Sequence, residues 1–248
     1  MVAAKDPDRG PLLGAGFRAE FLDFRRGIRV GNLEPHERIT RILKSALEER
    51  FGQPFLTERY GRGVYWRWIA WLPRACRAAK PLSHGTSFGC SKYFIMLETQ
   101  QRKFRAGLQV ERGYLKAPPG ARAWQLAEDW DWIRLLAALK LKGTLEREIR
   151  RLLREGFRIF GGSWESEAAE FSARDYPGAA ALRRALERAP ARQWAGFQLY
   201  YPMTEDDVRA SDGADLVEAI LAVFDEVTPA MNMVAEIPLR ARGKDLRV

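Results

Sequence analysis

Hydrophobic positions recur along this chain with two different periods, and each change of period marks a new element. In "GFRAEFLDFRRGI" (16–28), Phe17, Phe21, Leu22 and Phe24 stand at roughly helical spacing, which predicts a short amphipathic helix ending at Gly27. In "NLEPHERITRILKSALEERFG" (32–52), the stripe Ile39, Ile42, Leu43, Ala46 and Leu47 predicts a helix with Pro35 in its first turn and Gly52 at its end. The period then falls to two. "GVYWRWIAWL" (63–72) sets Val64, Trp66, Trp68 and Ala70 against Tyr65, Arg67, Ile69 and Trp71, a strand with both faces at least partly covered. "SKYFIMLE" (91–98) and "KFRAGLQVERG" (103–113) read as an antiparallel hairpin turning through Thr99-Gln100-Gln101-Arg102. Pro118, Pro119 and Gly120 break the chain after it.

Two helices follow: "EDWDWIRLLAALK" (128–140), with Asp129 as its cap, and "TLEREIRRLLREG" (144–156), capped by Thr144 and closed by Gly156. "FRIFGG" (157–162) is a short strand, "DYPGAAALRRALERAP" (175–190) a helix with Pro177 near its first turn, and "QWAGFQLYY" (193–201) another strand. Thr204-Glu205-Asp206-Asp207 begins a short helical turn. "DGADLVEAILAVFDEVTP" (212–229) turns Leu216, Val217, Ile220, Phe224 and Val227 inward. No repeat of 20 to 50 residues is visible, which argues against a solenoid or propeller. Uneven blocks of helix and strand, rather than strict βαβ alternation, predict an α+β fold. Its sheet should be mainly antiparallel, with helices packed on one face. The expected organisation is a flexible leader (1–14), a single domain (15–237) and a basic tail (238–248).

Composition agrees with one compact domain: 248 residues are 46% hydrophobic and include eight Trp. No run reaches the length of apolar chain that a membrane span needs, and "MVAAKDPDRGPLLG" lacks the apolar core of a signal peptide, so a cytoplasmic protein with no membrane partner is expected. The only cysteines, Cys76 and Cys90, cannot form a disulfide scaffold, and with His36 and His84 they make no closed zinc signature. Neither a metal nor a cofactor is expected.

A net charge of +9 changes the picture, because it suits an acidic partner such as nucleic acid or another anionic ligand. The competing reading spreads the arginines over solvated helix faces. Residue chemistry points to two places. "SHGTSFGC" (83–90) concentrates Ser, His, Thr and Cys, but its Gly85 and Gly89 are spaced by three residues, not the four of a phosphate loop, and a strand rather than a helix follows. As a nucleophile and base, Cys90 and His84 need a geometry that closeness in sequence does not supply. Glycines that permit a sharp turn into the sheet are the simpler reading. The run Arg59, Tyr60, Arg62, Tyr65, Trp66, Arg67, Trp68, Arg74 and Arg77 carries more, since guanidinium groups bind phosphate and aromatic rings stack on bases. The expected binding set is Arg62, Tyr65, Trp66, Arg67, Trp68, Arg74 and Arg77, with His84 nearby. The opposed reading is a tryptophan-rich core with arginine stems lying over it. An alternative function is a small-molecule binder or enzyme, with a cleft over the sheet near His84, Cys90 and Glu98 and with Arg105 or Arg112 holding an anionic group. Glu98 and Glu111 could be a cross-strand carboxylate pair. The protein is expected to be a monomer or a homodimer.

Three blocks, "KFRAGLQVERGYLK", "FRIFGGSWES" and the run from "WAGFQLYYPMT" to Pro229, resemble the YktB-like family of small bacterial proteins. The matching features are Gly107-Leu108 in a strand, Trp164 near the end of a strand, and a late strand followed by a helix that ends before proline. The resemblance spans roughly residues 55–231 and departs from the family at the leader, around residues 118–143 and in the tail. It implies an α+β fold with an antiparallel sheet similar in outline to the catalytic domains of class II tRNA synthetases and biotin ligases. It transfers no catalytic motif, and fold alone does not imply function.

Overall fold

The computed structural model describes residues 14–78, 89–112, 130–163, 166, 168–190 and 193–241. His84, Pro118 to Gly120, Asp129, Trp164 and nearly all of the expected leader lie outside the described residues.

The protein has an α+β fold built on one antiparallel sheet. Its strands are β1 (Leu22–Asp23), β2 (Gly27–Arg29), β3 (Phe55–Arg62), β4 (Tyr65–Pro73), β5 (Lys92–Glu98), β6 (Lys103–Arg112), β7 (Arg158–Ser163), β8 (Ala168–Phe171) and β9 (Ala195–Thr204). They run β1-β2-β4-β5-β6-β9-β7-β8, with β3 on the other edge of β4. The helices are α1 (Ile39–Phe51), α2 (Arg74–Ala78), α3 (Asp131–Ala138), α4 (Thr144–Arg154), α5 (Ala179–Arg188), α6 (Glu205–Ala210) and α7 (Gly213–Asn232). None of the described helices is long and apolar enough to cross a membrane.

Strand alternation gives the sheet two unlike faces. On one, Ile69, Trp71, Tyr93, Ile95, Leu108 and Phe197 meet the apolar stripes of α1, α3, α4, α5 and α7 in the main core. Tyr93 stacks on Phe224 of α7 at 4.7 Å, and its hydroxyl shares a 2.6 Å hydrogen bond with Thr228. The second face is smaller and more polar. Ala70, Phe94 and Tyr200 form its apolar patch, with Trp68, Met96 and Phe160 against it. The short helix α2 does not join the main layer: its Cys76 packs with Leu72, Cys90 and Leu56.

Several boundaries differ from the sequence reading for identifiable reasons. Residues 16–28 form a single 3₁₀ turn (Ala19–Phe21) and then β1 and β2, because pairing of Ile28 with Trp66 draws the segment into the sheet. Pro35 precedes α1, which starts at Ile39, whereas Gly52 ends it with left-handed backbone as expected. Gly143 is the residue before α4, so Thr144 opens the helix without capping it. Helix α7 continues past Pro229 to Asn232. The hairpin of β5 and β6 and the short helix beginning at Thr204 fall where they were expected, and a capping box between Thr204 and Asp207 opens that helix.

Candidate functional site

The site is built at the tip of the β3–β4 hairpin. Arg62 pairs with Tyr65 across the two-residue turn Gly63-Val64, and Gly63 takes the first turn position at φ +60°. Behind the tip, Tyr60 pairs with Trp68 but Gly61 pairs with Trp66, which leaves Arg67 as the extra residue of a β-bulge. Gly61 has φ +155°, and a Cβ on it would stand 2.5 Å from the Cα of Trp66, so the bulge closes only over glycine. The Val64 carbonyl accepts hydrogen bonds from the amides of Val30 (2.9 Å) and Gly31 (3.2 Å) and ties the tip to the chain after β2.

The bulge overturns strict alternation along β4. Trp66 packs toward the main core and Trp68 toward the second face, where unbroken alternation would have put both on one side. It also turns Arg67 outward at the tip. Between this tip and the β1–β2 turn opens a surface cleft of about 610 Å³, lined by Arg26, Tyr60, Gly61, Arg62, Tyr65 and Arg67.

The cleft is basic and aromatic. The Arg26 guanidinium lies 4.0 Å from the centroid of the Tyr65 ring, with its Nε also 4.0 Å from Asp23. Outside the cleft, Arg59 caps the Trp66 ring at 3.9 Å. Arg62 and Arg67 are exposed, and among the described residues neither has a carboxylate within ion-pair distance. Some helix arginines are paired instead. Arg150 pairs with Glu146 at 2.9 Å, Arg183 with Glu187 at 2.8 Å, and Arg151 reaches Glu148, Glu155 and Glu226. Part of the positive charge is thus neutralised on helix faces, while the hairpin tip keeps its own.

The seven described residues of the expected binding set do not form one surface. Arg62, Tyr65 and Arg67 line the cleft. Trp66 turns toward the core and donates from Nε1 to the Gly63 carbonyl at 3.2 Å. Trp68 donates from Nε1 to Gln109 Oε1 at 3.0 Å, inside a polar network. Arg74 and Arg77 lie on α2, past the far end of β4, about 30 Å of extended chain from Tyr65 at roughly 3.3 Å per residue. Three cleft residues, Arg26, Tyr60 and Gly61, were missing from the set. Arg26 sat in a segment read as helix, and Tyr60 stood in the Arg and aromatic run without being chosen.

Behind the cleft, the second face buries charge. Lys92 Nζ lies 2.9 Å from Glu58 and 3.8 Å from Glu111, and the ammonium is wholly inaccessible. Gln109 donates from Nε2 to Glu111, and its Oε1 accepts from Trp68 and, at 2.7 Å, from Gln198 Nε2. Burial pulls the Lys92 pKa down, but Glu111 and Glu58 together outweigh it and hold the ammonium above its ordinary value. Burial pushes the Glu111 carboxyl up, offset only in part by Lys92 and Gln109. This network clamps β3, β4, β5, β6 and β9 together. With Lys92 fully buried, it presents no ammonium to an incoming ligand.

The described residues of the alternative cleft are engaged elsewhere. Cys90 is buried and donates from Sγ to the Cys76 carbonyl at 3.3 Å, and Gly89 turns into β5 with φ +74°, the role its residue type suggested. Glu98 binds Arg105, and Arg112 donates to the carbonyls of Ala189 and Pro190 at 2.9 and 2.7 Å. Glu98 pairs across the sheet with Lys103 and Glu111 with Gly196, so the two carboxylates occupy opposite ends of β5 and β6. Among the described residues no group of three or more His, Cys, Asp or Glu side chains could hold a metal ion. No protein-family model matches the chain, and no curated protein matches its sequence.

Proposed function

We propose that this protein binds nucleic acid through the cleft between the β1–β2 turn and the β3–β4 tip. One observation carries the reading: Arg62 and Arg67, without carboxylate partners among the described residues, converge with Arg26 on a cleft walled by Tyr60 and Tyr65. Guanidinium groups already neutralised by neighbours add little to phosphate binding, whereas unpaired ones release counterions from the strand they meet. The pinned, glycine-closed tip holds those groups in place before a ligand arrives, which reduces the ordering cost of binding. A cytoplasmic location, a monomeric or dimeric state and kinship with the YktB-like proteins belong to the same proposal.

The test is fluorescence anisotropy of labelled single-stranded RNA and DNA across a salt series, with protein stripped of co-purifying nucleic acid. Three phosphate contacts predict a slope of log K against log salt of about −2, at roughly −0.7 per contact on a single strand. The double variant R62Q/R67Q should make that slope shallower by about 1.4. No binding at low salt, or a slope the double variant leaves unchanged, overturns the proposal.

A further inference from the structure

Within the cleft, the rings of Tyr60 and Tyr65 have different fates. Tyr65 is half-buried, and one face of its ring is covered by Arg26 at 4.0 Å. The nearby Trp66 is covered in the same way by Arg59 at 3.9 Å and packs against the core. Tyr60 is 72% exposed, and among the described residues no ring or cation stacks on it. A large ring left in water on an edge strand contributes nothing to the core.

Tyr60 is also well placed. It pairs across the strands with Trp68, so the two side chains share the second face of the sheet. Trp68 itself is held from behind by its hydrogen bond to Gln109. Arg62 and Arg67 follow within one turn of the hairpin and the bulge, so phosphate-binding groups and an open ring border the same cleft.

Resting on the nucleic-acid reading above, we propose that Tyr60 is a base-stacking platform and that the cleft selects unpaired strands over duplex. The physical reason lies in the ligand. A duplex offers phosphates to Arg26, Arg62 and Arg67, but its bases are stacked on one another and present no free face to a ring on the protein. A single strand offers both phosphate and base faces, and stacking tolerates any base because each has a π-face.

The test measures dissociation constants for a labelled single strand and for the duplex of the same sequence, with wild type, Y60A and Y60F. The single strand should bind more tightly than the duplex. Y60A should weaken single-strand binding roughly 5- to 150-fold, the loss typical of one base–aromatic stack, and leave duplex binding unchanged. Y60F keeps the ring and should bind as wild type. Tyr60 is exposed, so matching thermal unfolding of the three proteins excludes a folding defect. Equal binding of strand and duplex, or loss in Y60A that is equal for both, overturns the stacking role while leaving the arginine cleft intact. Binding of neither ligand by wild type overturns the nucleic-acid reading itself.

Discussion

Replacing Lys92 by methionine is expected to destabilise the protein by about 3–5 kcal/mol, as breaking a buried charge pair does. Methionine nearly matches the volume of lysine, so the cost is electrostatic rather than a cavity. It strips Glu58 of an ammonium 2.9 Å away at a site where Glu58 is only 3% exposed. Against a total stability of about 5–15 kcal/mol, urea denaturation would register the loss plainly as a lower midpoint with an unchanged slope. Glu111→Gln should cost less than K92M, because burial pushes the Glu111 carboxyl up and so lowers the cost of removing its charge, while glutamine can still accept from Gln109 Nε2. The pH dependence follows with a definite sign. A carboxyl whose folded pKa exceeds its unfolded value contributes stability below the unfolded pKa and loses it as pH rises toward the folded one. Wild type should therefore lose stability relative to E111Q as pH is raised above the ordinary glutamate value of about 4.3. Urea midpoints of both proteins across that range check it. An E111Q loss as large as that of K92M would mean that Glu111 is ionised in the folded protein and that the clamp is a full ion triad.

Neither the buried clamp nor the complete cleft could be read from the chain, and the reasons are physical. Helices α1 and α7 and the β5–β6 hairpin were legible because their apolar positions repeat locally and their ends carry turn residues or caps. Strand β3 was missed because it is an edge strand: only Phe55 and Glu58 of its eight residues are buried, so it has no alternation to see. Strands β1 and β2 span two and three residues, held by pairing to β4 rather than by any local preference, and with them Arg26 arrives at the cleft. The β-bulge at Arg67 is invisible in one strand, since an extra residue exists only by count against a partner. Lys92 at the start of "SKYFIML" reads as an ordinary polar boundary, and its carboxylates come from β3 and β6. Arg62, Tyr65 and Arg67 were legible because arginine beside aromatic residues is itself the chemistry. Arg74 and Arg77 were grouped with them by closeness in sequence, which a nine-residue strand turns into distance.

The sharpest check on the cleft compares two glycines two residues apart. At Gly63, a Cβ would have no heavy atom within 4 Å, so Gly63→Ala meets only the strain of left-handed backbone, about 1–2 kcal/mol. At Gly61, the Cβ would lie 2.5 Å from the Cα of Trp66, a backbone atom that cannot rotate away. Gly61→Ala therefore forces β3 and β4 apart at the bulge, at a cost of about 1–3 kcal/mol because an exposed edge strand can yield. Thermal unfolding should show a loss for both variants and the larger one for G61A, which meets the clash as well as the strain of positive φ. Binding should separate them. Opening the bulge moves Arg67 and Tyr60 away from Arg62 and Tyr65, so G61A is expected to lose at least about tenfold in affinity for a single strand, equivalent to roughly 1.4 kcal/mol. G63A leaves every residue of the cleft wall in place and should bind close to wild type. Measured well below the unfolding midpoint of either variant, where both are folded, a difference in affinity reports the shape of the cleft rather than the fraction folded. Equal affinities for G61A and wild type would show that the ligand does not depend on the bulge, and the arginines would then act as a diffuse basic edge.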